Sequence, residues 1–187
     1  MNMKKKILTG IAMCFALILA VIAAVGIYYF VLIETIELSI MPVPDIKEQL
    51  DVYEEMNFCK SGYIDEENTK VIIDLTRYQR KKWLKFVQED MENMIESAND
   101  MEYMEYHVSE DVKELTLIAT ERVSFRDVAT YGLPLLYDME LHQVLMGEKD
   151  WSIYFILKDM DTNEILYTAE YPEENIKINE YLWDKKE

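Results

Sequence analysis

From Ile7 to Ile33 the chain carries no charged side chain, and Lys4, Lys5 and Lys6 stand directly before that run. At about 1.5 Å per helical residue, the run is long enough to cross the roughly 30 Å hydrocarbon core of a bilayer with some tilt. The sequence therefore predicts a cytoplasmic stub and a transmembrane signal-anchor helix over residues 1–33. Its lysines would stay inside, sending everything after Ile33 to the outer face. A cleavable signal peptide competes with this reading, since Ala24-Val25-Gly26 offers a small-residue cleavage site. The apolar run continues beyond that site, however, and includes Tyr28, Tyr29 and Phe30, aromatics suited to a membrane–water boundary. Cys14 lies within the run, and Ile11-Ala12-Met13 before it does not resemble a lipid-attachment site.

Residues 34–44 read as a linker, because Pro42 and Pro44 disfavour helix at and before themselves. Residues 45–187 then form one extracytoplasmic domain. Of the 19 Lys and Arg residues, three precede Glu34, whereas all 36 Asp and Glu residues lie from Glu34 onward. The part after the run is thus strongly acidic, which argues against nucleic acid as a partner. Half of the whole chain is nevertheless hydrophobic, and Gly and Pro are rare, so the domain can bury a core and fold. Cys59 is the one cysteine outside the apolar run and has no internal disulfide partner there. It is expected to be buried and inert, or else to form an intermolecular bond.

Within the domain, Asp45 and Glu48 have capping-box spacing ahead of a short amphipathic helix over residues 46–57. Val71, Ile73 and Leu75 alternate as in a strand. Thr76 and Gln79 then cap a helix over 77–98, whose stripe of Leu84, Val87, Met91, Met94, Ile95 and Ala98 has helical period. Strands are predicted at 101–108 and around Leu115, Leu117 and Ala119. Ser124 and Asp127 open a further helix, interrupted at Gly132-Leu133-Pro134 and ending at Gly147. Two more strands follow, one through Trp151, Ile153, Phe155 and Leu157 and one over 165–171. This order predicts an α+β fold, with a mostly antiparallel sheet carrying helices on one face. A ferredoxin-like sandwich with an extra strand fits best, and a cystatin-like sheet wrapped around the 77–98 helix is the alternative.

Chemistry-bearing motifs are scarce. His107 and His142 belong to no zinc motif, and there is no Gly-rich phosphate loop, Gly-x-Ser-x-Gly or Cys-x-x-Cys. No catalytic residue, metal or cofactor is therefore assigned, and the chain reads as a non-enzyme. Met91, Met94, Met101 and Met104 near His107 offer soft ligands for Cu(I). Three-residue spacing on a strand, though, sends Met101 and Met104 to opposite faces. Asp159, Asp161 and Asn163 alternate like calcium ligands but lack the glycine and distal glutamate of the twelve-residue loop; a hairpin turn accounts for them as well.

The sharpest local feature is a cationic cluster of Arg77, Arg80, Lys81, Lys82 and Lys85, with Trp83 inside it. Cations at a helix N-terminus oppose the helix dipole, so a compensating anion is expected, either from the same domain, from lipid headgroups or from a partner. These six residues are the candidate binding site. The combined expectation is a single-pass membrane protein, anchored through residues 7–33, whose binding domain engages an envelope protein or membrane complex. The alternatives are an enzyme or accessory acting on envelope polymers, and a secreted ligand-binding domain released by signal cleavage. Nothing in the sequence sets the oligomeric state.

Overall fold

A computed structural model describes residues 3–39, 46–65 and 70–177. Helix α1 spans Met3–Phe30, and the chain then turns into strand β1, Ile33–Ser39. The membrane reading is corrected here. Among the described residues, no helix is long and apolar enough to cross a membrane. The predicted span also fails at its far end, since Val31 leaves the helix and Ile33 is already paired with Thr76 in a sheet. With the span go the membrane as a partner through residues 7–33, the single-pass localisation with an extracytoplasmic domain, and the anchored binding function built on them. The described α1 side chains are exposed. Near its end Phe30 meets the Tyr78 ring at 5.0 Å and Arg77 lies 3.9 Å from the Tyr28 ring centre.

The domain is α+β, but its strands form two sheets rather than the expected one. Strands β2 (Ser61–Asp65) and β3 (Lys70–Thr76) join β1 in the antiparallel order β1-β3-β2. Strands β4 (Met104–Val108), β5 (Glu114–Ala119), β6 (Ile153–Asp159) and β7 (Ile165–Tyr171) form the second sheet in chain order. The reason lies at β3. Residues 34–39, expected as linker, pair along one of its edges, and β2 pairs along the other. No edge of β3 remains for β4 or β7, so neither the ferredoxin-like nor the cystatin-like single sheet can form. In the second sheet β5 and β6 run parallel while the other neighbours are antiparallel. Parallel neighbours require a crossover, and the helical segment between β5 and β6 supplies it.

Helix α2 covers Ile46–Glu55 and α3 covers Arg77–Asn99. The Met41–Pro44 hinge and the Asp45 cap lie outside the described residues. Thr76 and Gln79 form the predicted capping box at the start of α3. Gln79 also donates to Asn57 Oδ1 at 3.0 Å and to the Cys59 carbonyl at 2.8 Å, fixing the loop after α2 to the helix. A second capping box, Ser124 with Asp127, opens the short α4, Phe125–Asp127. A π-helical turn follows over Val128–Gly132, and α5 runs over Leu133–Met146. Pro134 sits in the first turn of α5, where its fixed φ suits the helix. Gly147 stops that helix in the left-handed region at φ 98°, a conformation open to glycine without steric cost. Helix α3 packs on α5 and β4, and α5 packs on β1 and β6, so the helix pair joins both sheets through one apolar core.

Candidate ligand site

The site is built on an interrupted helix. Beyond the Ser124 cap, the chain makes α4, widens into the π turn and tightens again at α5. π turns arise as local insertions in helices and occur often at functional sites. Here the turn stands off from the second sheet and leaves a cavity of about 320 Å³. Phe125, Val128, Ala129, Gly132, Leu133 and Leu136 line it from the helical side, with Tyr106, Leu115 and Phe155 from the sheet and Ile176 and Lys177 at the chain's return. The lining is predominantly apolar, and the volume falls at the lower end of the range for small-molecule sites.

Tyr106 is the buried polar side chain on that wall. Asn99, the last residue of α3, clamps its backbone by accepting from the Tyr106 N–H at 2.6 Å and donating to the Tyr106 carbonyl at 3.1 Å. Its side chain is fully buried, and its hydroxyl has no hydrogen-bond partner among the described residues. Burial first, and the Asp127 charge second, push this phenol well above its usual range, so it remains an O–H donor across the physiological pH range. Gly132 faces it. A Cβ at that position would lie 2.8 Å from the Tyr106 hydroxyl oxygen, so only a glycine leaves the hydroxyl its present room.

A second buried polar group lies on another part of α5. Asp138 is 7% exposed, and its carboxyl is pushed up to about 8 by burial, by the Asp90 charge and by a hydrogen bond with Asp90. Beside the Asp90 carboxylate, the buried Asp138 carboxyl favours its protonated form. Nearby, the Tyr53 and Tyr137 hydroxyls are 2.9 Å apart, and Gln88 meets His142 Nε2 at 3.2 Å. This seam joins α2, α3 and α5 and has no cavity among those described.

The cationic cluster is distributed around the start of α3. Arg77 and Arg80 both reach Glu34 on β1, at 2.8 and 2.9 Å. Arg80 also donates through Nε to the Leu145 carbonyl at the end of α5. Lys82 donates to the Met56 carbonyl at 2.6 Å, and Lys85 pairs with Glu89 at 3.0 Å. Lys81 is exposed. Trp83 is fully buried, stacked on Phe58 with ring centres 5.6 Å apart and tilted against Tyr53 at 4.7 Å. The structure thus ties Arg77, Arg80 and Lys82 to partners on other segments of the same chain, while Lys81 and Lys85 are exposed on the helix surface.

The remaining sequence candidates resolve in the same manner. Met91 and Met104 are buried, and Met94 and Met101 pack against the same core. His107 is exposed, 3.4 Å from Glu105. The Asp159 carboxylate accepts from the Asp161 and Thr162 backbone N–H groups at 3.0 and 2.7 Å, holding the hairpin turn. Cys59 is buried, and burial first and the Glu54 charge second push its thiol up to about 11. A groove beside β1, lined by residues 34–38, Val144, Trp151 and Pro172 among others, is larger at about 920 Å³. Of its charges, Arg80 pairs with Glu34, Lys70 with Glu37 and Glu148 with Lys113.

Sequence reasoning placed Tyr106 in a strand and Gly132 in a helix interruption without connecting them. The signal that could have joined them was the capping box at Ser124 followed within ten residues by Gly132-Leu133-Pro134, which marks a helix that must stop and restart. No protein-family model, curated protein or solved structure matches this chain.

Proposed function

We propose that this chain is a non-enzymatic binding domain for a small, largely apolar molecule seated between the π turn and the second sheet. One observation carries the reading: a cavity of about 320 Å³ with an apolar lining stands open between the π turn and the second sheet. Protein interiors ordinarily close such space, because each unfilled volume forfeits dispersion contacts. A space of this size matches roughly ten non-hydrogen atoms, judged from the volume each water takes in the liquid. Tyr106 and Lys177 are the titratable side chains on its wall, and no paired acid and base or activated nucleophile lines it among the described residues. Binding rather than turnover is what such a lining supports.

Cavity filling tests the proposal. Ala129→Phe places a ring in the space while leaving Tyr106 in place. Calorimetric titration of the full chain with neutral aromatic molecules of about ten non-hydrogen atoms should show saturable binding that this substitution abolishes, with the fold retained by circular dichroism. Equal binding by both proteins would move the site elsewhere.

A further inference from the structure

Resting on that binding reading, we infer that the ligand is a neutral molecule with one hydrogen-bond acceptor, such as a ketone or ether, and that Tyr106 donates to it beside Gly132. The argument starts from the cost of the hydroxyl. A buried hydroxyl without a partner is destabilising, and phenylalanine would fill the same space without that cost. Tyr106 keeps its oxygen fully buried and unpartnered among the described residues, on the wall of the one apolar cavity described above.

The surroundings set the chemistry of the missing partner. The phenol is held protonated by burial and by the Asp127 charge, so it offers a proton and needs an acceptor. Asp127 itself accepts at Oδ2 from the Ser124 backbone N–H at 2.8 Å and from the Ser124 hydroxyl, which commits that oxygen to the cap. An anionic group at the buried hydroxyl would meet the Asp127 charge and lose its own hydration in an apolar space, whereas Lys177, the cation on the cavity wall, is exposed. A neutral carbonyl or ether oxygen meets neither penalty. Gly132 packs against the hydroxyl, and it belongs to a π turn, a local irregularity that can adjust when an acceptor approaches. Gly132 is thereby a specificity-determining position, since any side chain there would collide with the hydroxyl.

Acetophenone and α-methylstyrene separate this inference from the binding reading. They have the same shape and differ in a carbonyl oxygen against a methylene group. Each is titrated into the full chain, into Tyr106→Phe and into Gly132→Ala, with affinities read from amide chemical shifts and folding from thermal melts. The ratio of ketone to hydrocarbon affinity should fall about five- to tenfold in Tyr106→Phe, the worth of one neutral hydrogen bond. Gly132→Ala should lower the same ratio while retaining the tyrosine. Binding of both compounds with a ratio unchanged by either substitution overturns the acceptor inference and leaves the cavity reading standing. Failure of both compounds to bind the unaltered chain overturns both.

Discussion

Two side chains are held in the interior against their own solvation, and each makes a separable prediction. Tyr106 has an unpartnered buried hydroxyl, so Tyr106→Phe should leave stability unchanged or raise it by about 1 kcal/mol, measured by urea unfolding without ligand. A loss of more than about 2 kcal/mol would mean that the hydroxyl has a structural partner. Asp138 carries a carboxyl pushed up to about 8, by burial first and by Asp90 second. Its folded value lies above the unfolded one, so the folded chain holds this proton more tightly. The contribution is fully present below the unfolded value near 4, is lost as pH rises to about 8, and is absent beyond. Asp138→Asn should therefore flatten the fall in stability between about pH 5 and 8 and gain roughly 2 kcal/mol at the upper end. Parallel unfolding curves for the two proteins across that window would show that Asp138 ionises freely in the fold. Neither residue was legible beforehand: among 36 carboxylates nothing in the sequence marks which are buried, and Tyr106 reads as an ordinary strand residue.

At the scale of elements, the capping boxes at Thr76 and Ser124 and the helix stop at Gly147 were readable, because each depends on chemistry within a few residues. The π turn was readable only as an interruption, since its width depends on what packs against it. Gly132→Ala tests that packing: it should cost about 1–2 kcal/mol in the unaltered chain and little or nothing alongside Tyr106→Phe, a coupling expected of groups in direct contact. Additive effects would separate the glycine from the hydroxyl. The start of α3 divides in a similar way. Arg80 ties Glu34 on β1 to the end of α5, so Arg80→Ala should cost about 2 kcal/mol. Lys81→Glu, at an exposed position, should change stability by no more than about 0.5 kcal/mol. Thermal melts of the two variants distinguish these expectations. Comparable losses would show that Lys81 also has a structural role.

For the whole molecule, seven of the described elements are strands divided between two sheets, and the division turns on β1. Ile36 and Leu38 are buried while Thr35 and Glu37 are exposed, an alternation present in the sequence but overshadowed by the long apolar run before it. The strands from β3 to β7 were legible as elements, whereas their partition into sheets was not, because edge occupancy is decided by segments distant in sequence. Helices α3 and α5 then tie the sheets together and leave the cavity on the α5 side. The apolar α1 side chains offer a second greasy surface, so the decisive measurement must report where a ligand sits as well as whether it binds. Intermolecular nuclear Overhauser effects from bound acetophenone to methyl groups of the full chain do so. Contacts with Leu115, Val128, Leu133 and Leu136 are the predicted result; contacts confined to α1, or none at all, would contradict the account.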